Sequence, residues 1–317
     1  FEQASCMTAD ELRTRLAQAE PLRDVVLAGG DYRGVDLDEA RFERVDARGA
    51  IFSGANLSGS HWRGCQLSDV DFSHCQFEAV TLTDCTLDRA RFVGARLVGG
   101  RWLRSTAVLP DFSGAELRGI SFYEGVFGQW VLSGLSIEQC QWEGCTFDEL
   151  QAKNVDWHQV RMIECRFDGA CFVQARLARC AFDHSVFVRA DFEAINTRSA
   201  SFYKCSGANL RFVGAQLKQA IFSEAQLTSA DFTAACLDRA NLNKADMAGS
   251  LFTGASLQHA QCQAMKAGQA SFVKANLDGT DFHAAELDGC DWRDANRQSI
   301  RPEDSERLAA QRWQPIL

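Results

Sequence analysis

Large apolar side chains recur at every fifth residue from Leu22 to Trp292: Leu22, Leu27, Tyr32, Leu37, Phe42, and onward to Phe272, Leu277, Phe282, Leu287 and Trp292. Of these 55 positions 53 are apolar, with Thr197 and Gly207 the exceptions. A chain that is 46% hydrophobic would place about 25 there by chance. Of 22 Phe, 21 stand in this register, and 5 of the 7 Trp join them. The register never slips, so no domain boundary is expected between Leu22 and Trp292.

Let i be the large residue. The residue at i−2 is usually Ala, Cys, Ser, Val or Gly, as in Ala55-Asn56-Leu57, Ala190-Asp191-Phe192 and Ala230-Asp231-Phe232. An α-helix cannot use this period, because five residues advance about 500° and scatter the large side chains around the axis. A long straight strand cannot either, because an odd period sends successive i residues to opposite faces. A short extended piece that bends every five residues can. Within it i−2 and i point one way, i−1 points the other, and i+1 and i+2 form the corner. Four right-angled corners close a coil of 20 residues with i and i−2 inside, and coils then stack at the strand spacing of about 4.8 Å.

These Ala-Asn-Leu and Ala-Asp-Phe units resemble the pentapeptide-repeat family over about residues 22–296. The resemblance implies an all-β fold, a right-handed quadrilateral parallel β-helix. It leaves function open, because the repeated residues are the architecture. Three parts are expected: an N-terminal helical cap over 1–21, the β-helix over 22–296, and a C-terminal cap and tail over 297–317. Thr8-Ala9-Asp10-Glu11 is a capping box that opens a helix to about Ala19, stopped by Pro21. Pro302 to Arg312 reads as a short helix, with Leu308 and Trp313 placed to cover the last coil. A solenoid needs such caps, or its strand edges would pair end to end. The chain opens on Phe1, not Met, which fits a trimmed protein or the later part of a longer one.

Departures from the repeat predict local features. Ala152, Gly207 and Ala267 are small where large residues belong, and Leu150, Leu210 and Met265 at i−2 positions are oversized nearby. These read as volume swaps that keep the interior filled. Trp130 and Leu135 are also oversized at i−2, so a distortion is expected between about 125 and 150.

Charge and chemistry then exclude more than they name. The net charge, 33 − 42 = −9, argues against direct nucleic-acid binding, which needs clustered Lys and Arg. No apolar run reaches the roughly 18 residues of a membrane helix and no signal peptide opens the chain, so a cytoplasmic protein is expected. The 13 Cys form no Cys-x-x-Cys pairs and do not read as a disulfide scaffold. Nine of them lie at i−2, and Cys65, Cys85, Cys145, Cys165 and Cys205 share one column, so Cys65 should stack on Cys85 and Cys145 on Cys165. No His or carboxylate joins that column, so small, weakly polar core residues are expected there, not metal ligands. All six His (His61, His74, His158, His184, His259 and His283) fall at scattered outward positions. Ser201-Phe202-Tyr203-Lys204 and Ser271-Phe272-Val273-Lys274 match S-x-x-K by letter, but each straddles an inward Phe. No catalytic residue, cofactor or metal is expected, and the chain does not read as an enzyme.

Two functions fit. The first is an interaction scaffold or adaptor whose partners are proteins. The opening helix running into degenerate repeats resembles pentapeptide domains that accompany bacterial type VI secretion adaptors, which implies effector or spike components as partners. The alternative is the quinolone-resistance type of pentapeptide protein, which mimics B-form DNA and binds type II topoisomerases. A mimic needs a continuous negative field; here acids alternate with Arg, as in Arg41-Phe42-Glu43-Arg44, and no wall exceeds about −4. A homodimer through the C-terminal tail around Trp313 is compatible with either. Apolar residues at outward positions mark the expected docking wall, that of Tyr32: Val131, Val173, Val213, Leu251 and Val273, with Asp191, Glu193 and Asp231 between them. The competing explanation is that β-branched residues simply suit exposed strands.

Overall fold

The chain divides between Cys171 and Phe172 into two compact units, a division that the unbroken five-residue register did not announce. The computed structural model describes residues 6–171 of the first and 172–301 of the second. Each is a four-sided parallel β-helix with 20 residues to the coil, so every ladder pairs residues 20 apart.

In the first unit one wall is an eight-stranded parallel sheet running from Leu22–Arg23 through Arg41–Glu43, His61–Arg63, Thr81–Thr83, Arg101–Leu103, Ser121–Tyr123 and Gln141–Glu143 to Arg161–Ile163. Two further walls carry sheets, one including Thr106–Val108, Val126–Gly128, Thr146–Asp148 and Arg166–Asp168, the other Gln76–Glu78 through Asp156–His158. The fourth wall is held by single bridges such as Asp31↔Ile51 and Val131↔Gln151. In the second unit, beyond the strands Arg176–Ala178 and Val186–Val188, single bridges hold the walls, as in Asp191↔Arg211, Arg211↔Asp231 and Asp231↔Leu251.

Each pentapeptide satisfies its backbone in a fixed way. The i residue donates to the next coil (Leu27 N to Asp46 O, 2.7 Å), and so does the corner residue i+2 (Gly29 N to Arg48 O, 2.9 Å). The i−1 residue donates to the previous coil (Asp46 N to Val25 O, 3.1 Å). That leaves the N–H of i+1 facing outward without a ladder partner, and an Asp or Asn at i−1 accepts it. Asp46 Oδ1 takes Arg48 N at 3.2 Å, Asn56 Oδ1 takes Ser58 N at 3.1 Å, and Asp231 Oδ1 takes Thr233 N at 2.9 Å. This is why Asp and Asn precede so many of the large residues: their short side chains bond the backbone two residues on.

The interior is a set of stacked columns. In the second unit Phe172, Phe192, Phe212, Phe232, Phe252 and Phe272 lie ring on ring, with successive centroids 4.9–5.1 Å apart and interplanar angles of 1–5°. A second column, Phe182, Phe202 and Phe222, meets the first edge-on, as at Phe192–Phe202, 5.6 Å and 89°. In the first unit Tyr32, Phe52, Phe72, Phe92 and Phe112 stack at 5.0–5.7 Å.

The expected thiol column is present. Thr86 N donates to Cys65 O and Arg166 N to Cys145 O, which places Cys85 over Cys65 and Cys165 over Cys145. Their thiols bond to main-chain carbonyls (Cys85 Sγ to Trp62 O, 3.4 Å; Cys165 Sγ to Trp142 O, 3.5 Å), as small core residues would. Burial pushes the Cys75 thiol up to about 12 and that of Cys140 up to about 11.

Three expectations need revision. The capping box forms as read, with Glu11 N donating to Thr8 Oγ1 and Thr8 N to Glu11 Oε2, but the helix spans only Ala9–Leu16. Ala17 to Ala19 form a turn, because Ala19 takes a left-handed backbone that no helix can continue. Leu12, fully buried, is the side chain by which this cap packs. Second, the sheets run through 125–150 without a bulge. Trp130 lies wholly inside, donating Nε1 to Ala107 O at 3.0 Å, and fills space beside a small i residue that the repeat pattern conceals. The distortion is confined to Leu135, half-buried, whose carbonyl accepts from Asp156 N at a long 3.4 Å. Third, His283 is outward by register yet only 3% exposed, its backbone N–H bound to Asp281 Oδ1 at 3.0 Å. An outward position need not be an exposed one.

The volume swaps pack as expected: Leu150 with Ala152, and Met265 with Ala267, are fully buried. At 207 only Gly fits, since a Cβ would stand 2.4 Å from the Phe187 carbonyl oxygen and 3.2 Å from Leu210 Cδ1. The C-terminal helix expected over 302–312, with Leu308 and Trp313, lies outside the described residues.

Phe192, sandwiched between Phe172 and Phe212, tests the column. Phe192→Ala should cost about 3–5 kcal/mol, because stacked coils cannot close the hole. Urea denaturation measures it, and a loss below about 1 kcal/mol would contradict the packing.

Candidate docking faces

Most side chains at i and i−2 are buried, with Leu135 and, in the last coil, Leu287 and Trp292 among the half-buried exceptions, so chemistry is left chiefly to i−1, i+1 and i+2. In the first unit these outer positions form ion-pair ladders. Arg44 clasps Asp24 at 2.7 Å, Arg89 clasps Asp69 at 2.6 Å and Arg104 reaches Asp84 at 2.8 Å, each across one coil at a corner. The bonding guanidinium holds each of these three carboxyls below its usual range. Such exposed pairs add little individually, but they neutralise the acids in place.

The residues marked by the sequence fall in both units. Val131, 56% exposed, belongs to the first. In the second, Asp191, Asp231 and Leu251 follow one another along the i−1 column with Arg211 between the two Asp, and Val173, Glu193, Val213 and Val273 stand at i+1 of the same wall. Leu251 is exposed and the three Val are half-buried. The acids of this wall have partners within the chain. Arg211 bridges Asp191 at 3.1 Å and Glu193 at 2.7 Å, and Asp231 is engaged by the backbone of Thr233. The residue that neutralises them lies 18 and 20 positions along the chain, a separation that only the coil length makes close.

Two features escaped the sequence. Val108, Leu109 and Val126, 38%, 51% and 47% exposed, form an apolar cluster on successive coils of the first unit. Leu109 is a corner residue with a left-handed backbone, a position taken to be polar by default. The second is a cationic groove in the second unit, whose lining includes Arg198, Lys218 and Arg239.

Nothing among the described residues assembles into a catalytic constellation. Ser201 Oγ bonds Asp183 Oδ1, while Lys204 pairs with Glu224 at 3.5 Å and lies over the Tyr203 ring, so Ser201 and Lys204 are each engaged elsewhere. No group of three or more His, Cys, Asp or Glu among the described residues is placed to hold a metal ion. No helix among them is long and apolar enough to cross a membrane.

A four-sided coil closed every 20 residues by five-residue units defines a pentapeptide-repeat solenoid, and comparison agrees. The signature described as a pentapeptide repeat region matches residues 22–92 and 175–252, and that of pentapeptide repeats in 8 copies matches 235–272 and 255–294. The chain belongs to the pentapeptide-repeat family, whose members are in general non-catalytic. Among solved structures, a trypsin-treated form of QnrB1, a plasmid-mediated fluoroquinolone resistance protein, is 20% identical over 69% of this chain and 92% of its own, with a TM-score of 0.41. HetL, a pentapeptide-repeat protein involved in heterocyst differentiation regulation in the cyanobacterium Nostoc, is 21% identical over 93% and 96%, with a TM-score of 0.23. No curated protein matches the chain.

The corner ladders make stability depend on pH in a definite sense. Carboxyls lowered in the folded state, such as Asp24 and Asp84, contribute above the ordinary carboxylate pKa of about 3.9, and the contribution is lost as pH falls through their lowered values. The double variant Arg44→Ala/Arg104→Ala should therefore have a lower urea midpoint than the parent at pH 7, and the gap should close toward pH 2. A gap that does not change with pH would contradict this origin.

Proposed function

We propose that the chain is a non-enzymatic scaffold for protein–protein contact. In this reading the docking face is the wall of Val173, Val213, Leu251 and Val273 in the second unit. The observation that carries it is the recurrence of apolar side chains along one wall whose other outward residues, Thr233, Thr253 and the Arg211 cluster, are polar and already bonded or uncharged. That combination gives contact area within a polar rim, the usual anatomy of a protein interface. Val131 would be an outlying contact of the same kind in the first unit. The cytoplasm is the compartment that suits its 13 free thiols.

The narrower assignment, an adaptor for type VI secretion cargo, has only the N-terminal helix in its favour. The DNA-mimic reading calls for a continuous acidic face, whereas Arg44, Arg89, Arg104 and Arg211 each neutralise acids in place. A gyrase supercoiling assay separates it from the scaffold reading, which expects no inhibition.

To test the docking face, Val173→Lys and Val213→Lys are combined and used as bait in a bacterial lysate beside the parent chain. Ile221→Lys, an exposed apolar residue on another wall, serves as the control. Partners recovered by the parent and by the control should be lost from the double variant. Equal recovery by all three, with the β-rich circular dichroism unchanged, would refute the face.

A further inference from the structure

We propose that a groove in the second unit, on the wall built on Leu217 and Leu237, is a binding site for an acidic peptide segment. The groove has a volume of about 680 Å³, and Arg198, Lys218, Arg239 and His259 line it. An adjoining depression of about 380 Å³ shares Arg198 with it and adds Arg179.

The first argument is charge. The chain carries −9 overall, and many of its cations are tied to acids one coil away, as Lys204 is to Glu224 and Arg211 to Asp191. Arg179, Arg198, Lys218 and Arg239 are in no ion pair among the described residues. Arg198 and Lys218 occupy the same position on successive coils, about 4.8 Å apart along the axis, with no acid between them. The one acid of the lining, Asp238, follows Lys218 in the same column, keeps its charge, and accepts a hydrogen bond from Ser256 Oγ at 2.5 Å. Like charges stacked so closely repel, and an anion laid across them removes that repulsion.

The second argument is shape. Where Thr197 replaces the usual Leu, the corner opens. Arg179 N to Arg198 O measures 3.4 Å and Ser199 N to Lys218 O 3.3 Å, against 2.8 Å for Arg239 N to Gln258 O. Thr197 is 2% exposed, and its hydroxyl has no hydrogen-bond partner. The opposite corner of the wall is low, because Ala194, Gly214, Ala234 and Gly254 stand there and raise no long side chain. The result is a trough bounded on one side by Arg179, Arg239 and His259.

The lining favours a peptide over a denser polyanion. Asn196, Gln216, Gln219 and Gln258 both donate and accept, which suits a peptide main chain, whereas phosphates only accept. Asp238 would repel an unbroken row of phosphates but tolerates spaced carboxylates. From Arg179 to His259 is four coil steps, about 19 Å, the length of about six extended residues.

The inference is separate from the docking wall, since the ligand is supplied directly and no partner need be captured. The test is fluorescence anisotropy of a labelled hexaglutamate peptide titrated with the full chain, with tripolyphosphate and a single-stranded oligonucleotide as competitors. Hexaglutamate should bind, more weakly as salt rises, and Arg198→Glu/Lys218→Glu should weaken it at least about tenfold. Arg189→Glu/Lys266→Glu, the same change of net charge on the opposite wall and its far corner, should weaken it less than about twofold. Should the groove variant lose its β signal, Arg239→Gln takes its place, with a loss of about threefold expected. Absence of binding, equal loss in both double variants, or stronger competition by tripolyphosphate or the oligonucleotide than by unlabelled hexaglutamate would overturn the proposal.

Discussion

A left-handed backbone at every fifth residue, from Asp24 to Asp294, turns each extended segment through its corner. Glycine takes this conformation freely, yet most of these corners hold Asp, Glu, Gln, Arg, Lys or Ala, for which it costs about 1–2 kcal/mol. The ladder offsets that cost. With the backbone so turned, the corner N–H points at the carbonyl of the next coil, as from Asp24 to Glu43 at 3.0 Å, and the following side chain is delivered inward. Without the corner the five-residue period would scatter the Phe and Leu columns, and the acids at i−1 would lose the N–H groups they accept.

The same economy explains where function must reside. With i and i−2 inside, i+2 at the corner and Asp or Asn at i−1 bound to backbone, few positions are free to vary. Those that vary are informative: the apolar wall of Val213 and Leu251, the cluster around Leu109, and the cations of the groove around Lys218. On the wall of Val213, Arg211 holds Asp191 and Glu193, so in the proposed docking face contact would be chiefly apolar. On the next wall Arg198 and Lys218 are in no ion pair among the described residues, although Asp238 follows Lys218 in the same column. Two adjacent walls of one unit thus present different chemistry across a low corner of Ala and Gly.

Periodicity made the fold legible because it is set by side-chain size alone: the Phe columns, the stacked thiols and the Leu150–Ala152 swap follow from counting in fives and twenties. What it hid were effects of side-chain reach. Trp130 looked too large for its site because the small Ala107 beside it counts as apolar in the pattern. His283 looked exposed because register gives direction and not cover. The clamp of Arg211 on Glu193 joins residues 18 apart, a diagonal that a column-by-column reading passes over. The groove was invisible to charge counting, because Arg179, Arg198, Lys218 and Arg239 are averaged away by acids elsewhere on a wall that sums to about −2. The candidate docking residues were legible only as departures from polarity, which locates a face without naming what it meets.

The account rests on coils of 20 residues stacked at one strand spacing, and distances between spin labels test this directly. Labels carried by non-canonical amino acids avoid the native thiols. Placed at position 33 and, in turn, at 113, 133 and 153, they lie at one outward position of one wall of the first unit, replacing Arg33, Ser113, Ser133 and Lys153. Pulsed electron–electron double resonance should give distances that rise in two equal steps of about 4.8 Å. Steps that are unequal, or a distance that falls between 113 and 153, would contradict the 20-residue coil.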